Sequence, residues 1–404
     1  MGGDRRRTRP ARLHGADRRH RARHQMVSCS TGRGIRAHAR HPFWRHRRPV
    51  GSAIVTLPEV SMSSLRARMH DRMAERARSN GEFERAIQML MQANRRSPSP
   101  ERERLLLRLR NEAFHRLPQC ASAAWPPSHS DRFAHVDGVP EISADQLSAD
   151  AVRAGVFGRG ALIVRGLVPH HDVEMLAADV DQAFAAYDRS RHGKRVDPAD
   201  PWFAPFEISG EHAPAEHPRR WIRAGGGVYA AESPRAMFHL TDVLERAGIT
   251  RLVETYFAER AALSVLKTTL RIVEPDASVG AGWHQDGAFL GAGVRSLNLW
   301  VALTACGRHA PGLQMVPHRI DQLVNAGTGG AAFSWSVDTE RLREITGGVE
   351  PAWLEFEAGD VVFFDELNLH STATRPGMSQ RRKAIEAWFF AASHYPFDRV
   401  PLLV

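Results

Sequence analysis

The sequence predicts an α+β protein: a helical N-terminal region, then a domain whose second half is an antiparallel β-sandwich or jelly roll. Three observations predict it. Residues 63–117 carry apolar positions at helical spacing, and residues 262–391 break into short apolar or alternating runs separated by Gly, Pro and Asp turns. Hydrophobic residues make up 43% of the 404, enough for one large domain or two ordinary ones with a real core.

The formal charge of +10 belongs to one end of the chain. Residues 1–50 hold fifteen Arg, no Lys and two Asp, a local balance of +13 that leaves the other 354 residues at −3. Residues 1–61 have no sustained apolar period and cannot bury enough surface to offset their ordering entropy, so a disordered tail is expected. A nucleic-acid arm would use such arginines on phosphates but usually adds lysines, and only Lys194, Lys267 and Lys383 occur. A transit peptide is also Arg-rich, but this stretch lacks an amphipathic period. The favoured reading is translated upstream sequence, with Met62 as the start and no nucleic-acid partner. No run approaches the ~18–20 apolar residues of a membrane span. Cys29, Cys120 and Cys306 form neither a disulfide framework nor a Cys-x-x-Cys knuckle, which suits a reducing cytoplasm.

Residues 62–117 read as a helical appendage. Met73 and Ala77, then Phe83, Ala86, Ile87, Leu90 and Met91, make two helices broken at Gly81. Pro98 and Pro100 break the pattern again, and Leu105, Leu106, Leu109, Ala113 and Phe114 form a third stripe. One such unit cannot stack into a solenoid, so the expected role is contact with a protein partner or a dimer mate. Residues 118–140, rich in Pro and Ser, read as a linker.

The second domain spans 141–404. Residues 160–166 (Gly-Ala-Leu-Ile-Val-Arg-Gly) form a short buried-type strand. A helix follows Pro169, with Val173, Leu176, Ala177, Val180, Phe184 and Tyr187 on one face. The irregular stretch 190–230, with Trp202, Phe203 and Trp221, is the candidate lid. Ser233-Pro234 marks the start of two further helices, 234–247 and 250–261. Strands are expected at 262–274, 296–304, 314–316, 352–356, 361–364 and 383–391, with Leu367–His370 continuing the 361–364 strand.

Within this β region one tripeptide carries chemistry. His284 and Asp286, two apart on extended backbone, present their side chains to one side. His129/Asp131 and His135/Asp137 have the same spacing but lie in loop-like sequence. His170/Asp172 falls at a helix start, where an acid suits the dipole. Only His284/Asp286 follows a strand and has a later His370 and Arg382 on further strands. Two imidazoles and one carboxylate occupy one face of an octahedron and leave three positions open, the arrangement of non-haem Fe(II) centres. A keto acid chelating through two of those positions, with O₂ at the third, needs a cation for its far carboxylate. The planar fork of Arg382 suits that task, and Arg381 stays as the alternative.

The segments 155–184 (GVFGRGALIVRGLVPHHDVEMLAADVDQAF), 282–289 (GWHQDGAF), 297–319 (LNLWVALTACGRHAPGLQMVPHR) and 356–390 (FEAGDVVFFDELNLHSTATRPGMSQRRKAIEAWFF) resemble the phytanoyl-CoA dioxygenase family of Fe(II)/2-oxoglutarate-dependent oxygenases. The likeness runs from about residue 155 to 395. It implies a cupin-like double-stranded β-helix with flanking helices, and His284, Asp286 and His370 as iron ligands. It also implies Arg382 as the 2-oxoglutarate anchor, with Thr372 and Lys267 as contributors to cofactor binding. Two features depart from the family pattern. Its Pro-Gly-Ser-His turn is reduced to Val316-Pro317-His318-Arg319, and the His-to-Arg spacing is one residue longer than the commonest form. The activity implied is O₂-dependent hydroxylation of a C–H bond in a small molecule, coupled to conversion of 2-oxoglutarate to succinate and CO₂. Two other readings stand beside it: a metal-dependent cupin-type enzyme that does not use 2-oxoglutarate, and a non-catalytic ligand-binding adaptor.

Overall fold

The computed structural model describes residues 62–116, 118, 122–191, 197, 199–206, 219–275, 282–291, 293–325, 333–396 and 399–404. The basic tail and parts of the expected linker and lid lie outside them. In chain order the helices α1 (Met62–Ser79), α2 (Phe83–Arg96) and α3 (Pro100–Arg116) come first, followed by β1 (Glu141–Ser143), α4 (Ala149–Arg159), β2 (Ala161–Arg165) and α5 (His170–Arg191). Next are α6 (Arg219–Ala224), β3 (Gly227–Tyr229), α7 (Pro234–Arg246), α8 (Ile249–Phe257), β4 (Ala261–Ser264), β5 (Thr269–Val273), β6 (Trp283–His284) and α9 (Gly287–Leu290). The remainder is β7 (Ser296–Ala302), β8 (Gly312–Met315), β9 (Ser336–Val337), α10 (Thr339–Thr346), β10 (Ala352–Leu354), β11 (Val361–Phe364), β12 (His370–Ala373), β13 (Arg382–Ala391) and β14 (Pro401–Leu403).

Among the described residues these strands form two sheets. One has nine strands, with the path β1-β2-β11-β7-β13-β4-β14 and with β5 on β13 and β3 on β5; the other has five, β10-β8-β12-β6-β9. Strand alternation decides what each face of the large sheet meets. On β13, Ile385, Ala387, Phe389 and Ala391 join a core shared with α4, α5, α7 and α8. Ala384, Trp388 and Phe390 point the other way and pack with Leu313, Met315 and Leu354 of the small sheet. The result is helices, large sheet and small sheet as successive layers. Trp300 and Trp388 are each only 1% exposed, and truncating such a residue to Ala costs about 3–5 kcal/mol.

The N-terminal helices belong to the same compact unit as the sheets, Glu59–Val404. Arg110 Nη1 donates to Leu403 O and Asn111 Nδ2 to Pro401 O, each at 2.8 Å. Gly81, at φ +80°, supplies the turn between α1 and α2.

Three expectations need correction. The run 262–274 is two strands: Val265–Thr268 turn between β4 and β5, and Lys267 sits in that turn rather than on a strand. Both strands nonetheless lie on the same edge of β13, at Phe389–Ala391 and Arg382–Glu386 respectively. Residues 361–370 are likewise not one strand, since β11 belongs to the large sheet and β12 to the small one. Finally, the helix expected over 250–261 ends at Phe257, where Ala258 adopts φ +56°.

Candidate metal and cofactor site

His284 ends β6, and Asp286 has already left the strand: its φ −62° and ψ −29° begin the short helix α9. Extended alternation therefore does not bring the pair together; a strand-to-helix turn does. Two neighbours fix that turn. The Gln285 amide points away from the site, donating to Leu367 O at 2.7 Å and Gln322 O at 3.1 Å, while its carbonyl accepts from Val324 N. Gly287 donates its N–H to Glu366 O, and a Cβ there would stand 2.6 Å from Leu323 Cδ2 and 3.1 Å from Glu366 O.

His370 opens β12 directly across the antiparallel pair from His284, with ring centroids 4.4 Å apart. One ligating atom from each of His284, Asp286 and His370 lies within 4.8 Å of the others. His284 Nδ1 is 2.9 Å from Gly282 O, and His370 Nδ1 is 3.1 Å from Asn368 O. A carbonyl only accepts, so in each neutral ring Nδ1 carries the proton and Nε2 offers its lone pair. This is the outer bonding that metal-ligating histidines require.

Electrostatics favour a neutral His284 and an ionised Asp286. Burial, with His370 alongside, pushes His284 down to about 4, which keeps it neutral. Burial alone would raise Asp286, but its surroundings, the Lys267 ammonium first among them, more than reverse this and hold it at about 2. The Lys267 ammonium lies 2.8 Å from Asp286 Oδ1 and over the Phe289 and Trp388 rings. Asp286 Oδ2 faces His370 Nε2 at 3.6 Å. Two nitrogens and one oxygen on one side suit a divalent transition metal with open positions opposite.

Arg382 begins β13, on the inner face of the large sheet, and is 2% exposed. Nη1 donates to Gly312 O at 2.6 Å and the guanidinium lies over the Trp300 ring. Nε is buried without a partner. Burial lowers this arginine's pKa, as expected for a cation with no carboxylate against it. An orphaned donor on a buried guanidinium is a fit for an incoming carboxylate. Arg381, by contrast, is 57% exposed and pairs with Glu274 at the rim. Thr372, two residues after His370, shares its face of β12 and lines the same cavity.

That cavity has a volume of about 940 Å³ and reaches from these residues out to α6. Its walls include residues with no sequence signal of their own. Arg271 and Glu386 form a two-pronged ion pair at 2.9 and 3.1 Å, and Phe333 and Trp335 follow the unpatterned loop after β8. The other His-x-Asp pairs stay apart from it. His129 and His135 are exposed, and Asp172 is taken by Arg246 at 2.7 and 3.1 Å.

Among solved structures the chain is similar to AviO1 from Streptomyces viridochromogenes Tue57. The identity is 17% and the TM-score 0.38, over 60% of this chain and 95% of that one. It is also similar to the epimerase SnoN in complex with Fe3+, alpha ketoglutarate and nogalamycin RO (20%, TM-score 0.40, 63% and 86% covered). A third is the non-heme alpha ketoglutarate dependent carbocyclase SnoK from nogalamycin biosynthesis (15%, 0.41, 62% and 87%). No curated protein matches the chain significantly. No helix among the described residues is long and apolar enough to cross a membrane. The family model for phytanoyl-CoA dioxygenase matches residues 158–383, more than half of the sequence, a span that includes Lys267, His284, Asp286, His370, Thr372 and Arg382. The chain belongs to the phytanoyl-CoA dioxygenase family of Fe(II)/2-oxoglutarate-dependent oxygenases.

Proposed function

We propose that this chain is a dioxygenase that hydroxylates a C–H bond of a small molecule, with His284, Asp286 and His370 holding Fe(II) and Arg382 holding 2-oxoglutarate. The observation that carries the reading is the pairing of a three-ligand cluster with a buried, carboxylate-free guanidinium in one cavity. In this reading the two sheets are a double-stranded β-helix, residues 62–117 are its helical appendage, and the protein works in the cytoplasm.

Each residue has a defined task. His284 and His370 present Nε2 because their Nδ1 protons are committed to Gly282 O and Asn368 O. Asp286 stays ionised beside Lys267 and offers Oδ2. Arg382 receives the far carboxylate of the keto acid, and the Thr372 hydroxyl contributes to the same end. Trp300 and Trp388, both fully buried, keep bulk water from that end of the cavity. Iron, when bound, supplies the redox chemistry that couples decarboxylation of the keto acid to oxidation of the substrate.

The test is succinate formation from 2-oxoglutarate under air with added Fe(II), for wild type, His284→Ala and Arg382→Ala. Wild type is expected to be active and both variants silent. A wild-type protein that binds neither iron nor keto acid overturns the proposal. Iron binding that ignores Arg382, with no succinate formed, points instead to a cupin-type enzyme that does not use 2-oxoglutarate.

A further inference from the structure

We infer that the cavity takes a neutral substrate bearing a flat, fused-ring system, held by a row of aromatic side chains leading from solvent to His284. The inference rests on the oxygenase reading of the site and names the class of molecule that reading leaves open.

The row is continuous. Trp221 on α6 is 53% exposed, the one large aromatic so exposed among the described residues. It stands edge-on to Phe333 at 6.4 Å. Phe333 stacks on Trp335 with centroids 4.7 Å apart and planes 1° from parallel. Trp335 in turn meets Phe289 at 5.3 Å and His284 at 5.5 Å, both edge-on. None of Trp221, Phe333 and Trp335 belongs to the buried cores, so packing of the fold does not account for them. Rigid ring faces and edges pair best with other flat rings, through stacked or edge-to-face contacts. Rings line this wall from the mouth to a proposed iron ligand, so a ring bound along it brings its edge to the reacting position. The cavity, at about 940 Å³, lies at the upper end of the ~300–1,000 Å³ that holds drug-sized ligands.

Charge selects for neutrality. The other cations lining the cavity are engaged: Arg223 pairs with Asp188, Lys267 with Asp286, Arg271 with Glu386 and Arg381 with Glu274, while Arg399 donates to Phe289 O and has further interactions of its own. Once the keto acid occupies Arg382, an anionic substrate group finds no uncommitted cation among the described residues that line the cavity. Burying a charge without one is costly.

Calorimetric titration of the full-length protein with flavone, dodecan-1-ol and dodecanoate tests this. Flavone is expected to bind about tenfold or more tighter than either aliphatic probe. Trp335→Leu should weaken flavone by about tenfold and Trp221→Leu by about threefold, the scale of single aromatic contacts. Trp221 is a surface residue, so its variant reports on binding without threatening the fold. Flavone binding no tighter than dodecan-1-ol, dodecanoate binding tightest, or flavone affinity indifferent to Trp221 and Trp335 overturns the inference. The two readings separate cleanly. Flavone binding that survives His370→Ala supports the ring subsite whatever becomes of iron. Iron-dependent decarboxylation without any ring binding removes the subsite and leaves the oxygenase reading standing.

Discussion

Lys267 Nζ lies 2.8 Å from Asp286 Oδ1, on the side of the carboxylate turned away from His370. The lysine occupies one oxygen and leaves the other to face His370 Nε2. Lys267→Met removes that hold and the charge that keeps Asp286 at about 2. Metal affinity, measured by calorimetry with Mn(II), should fall by about 10–100-fold, the usual cost of losing a ligand's supporting partner. An unchanged affinity would mean that Lys267 does not position Asp286.

Arg382 offers a test in which function and stability move in opposite directions. Its guanidinium is buried without a carboxylate, and replacing such a cation by a well-packed apolar chain is often neutral or stabilising by about 1–4 kcal/mol. Arg382→Met protein should therefore melt at the wild-type temperature or above it. Its KM for 2-oxoglutarate should nevertheless rise by about 100-fold, as expected when a charge-assisted bidentate contact is removed. Exposed Arg381, changed to Ala, should leave KM within about twofold. A large effect at Arg381 and none at Arg382 would reverse the assignment.

Gly287→Ala should damage the site without touching a ligand. The added methyl meets Leu323 and the Glu366 carbonyl, and relieving such overpacking costs about 1–3 kcal/mol. The shift displaces the Asp286 turn, so chemical denaturation and metal titration should both register it. Wild-type behaviour in both would show that the loop carrying Leu323 yields freely.

Acidification should destabilise the metal-free protein through His284. Its folded pKa of about 4 lies below the ordinary 6.5, so between those values the unfolded chain binds the extra proton. Stability therefore rises with pH across this window, is complete above about 6.5, and is lost on the way down to about 4. Denaturation midpoints of chelator-treated wild type and His284→Gln at pH 7, 5.5 and 4.5 isolate this contribution. The wild type should lose on the order of 2 kcal/mol more than the variant, and parallel slopes would refute it.

The chemistry of the site was more legible than its scaffolding. His284, Asp286, His370 and Arg382 stand out because residue type and order suffice to nominate them, and the structure gathers all four in one cavity. Sheet membership was not legible. Val361–Phe364 is buried on both faces and has no alternation to read, so nothing marks the passage of the chain into the other sheet before His370. Val265 and Leu266 hid the turn at Lys267 because they are as apolar as the strands on either side. Gln285 and Gly287 lie inside the motif, but their work depends on Leu367, Leu323 and Glu366, which sequence distance conceals. Phe333 and Trp335 sit in a stretch with no period, and only folding brings them to His284.

Strand β8 measures out the site. Met315 lies opposite His370, Leu313 opposite Thr372 and Gly312 opposite Ala373, and the carbonyl of that same Gly312 takes Nη1 of Arg382. The separation of the proposed iron ligand and the proposed keto-acid anchor is thus set across the sheet, and the intervening segment 374–381 connects them. Insertions into or deletions from that segment are expected to leave both ends in place. The one-residue excess in the His-to-Arg interval is therefore of no consequence to the geometry. An insertion within the four residues of β8 would instead throw both partners out of step at once. Position 312 also admits only glycine, because a side chain there would strike Gly307 and Leu354.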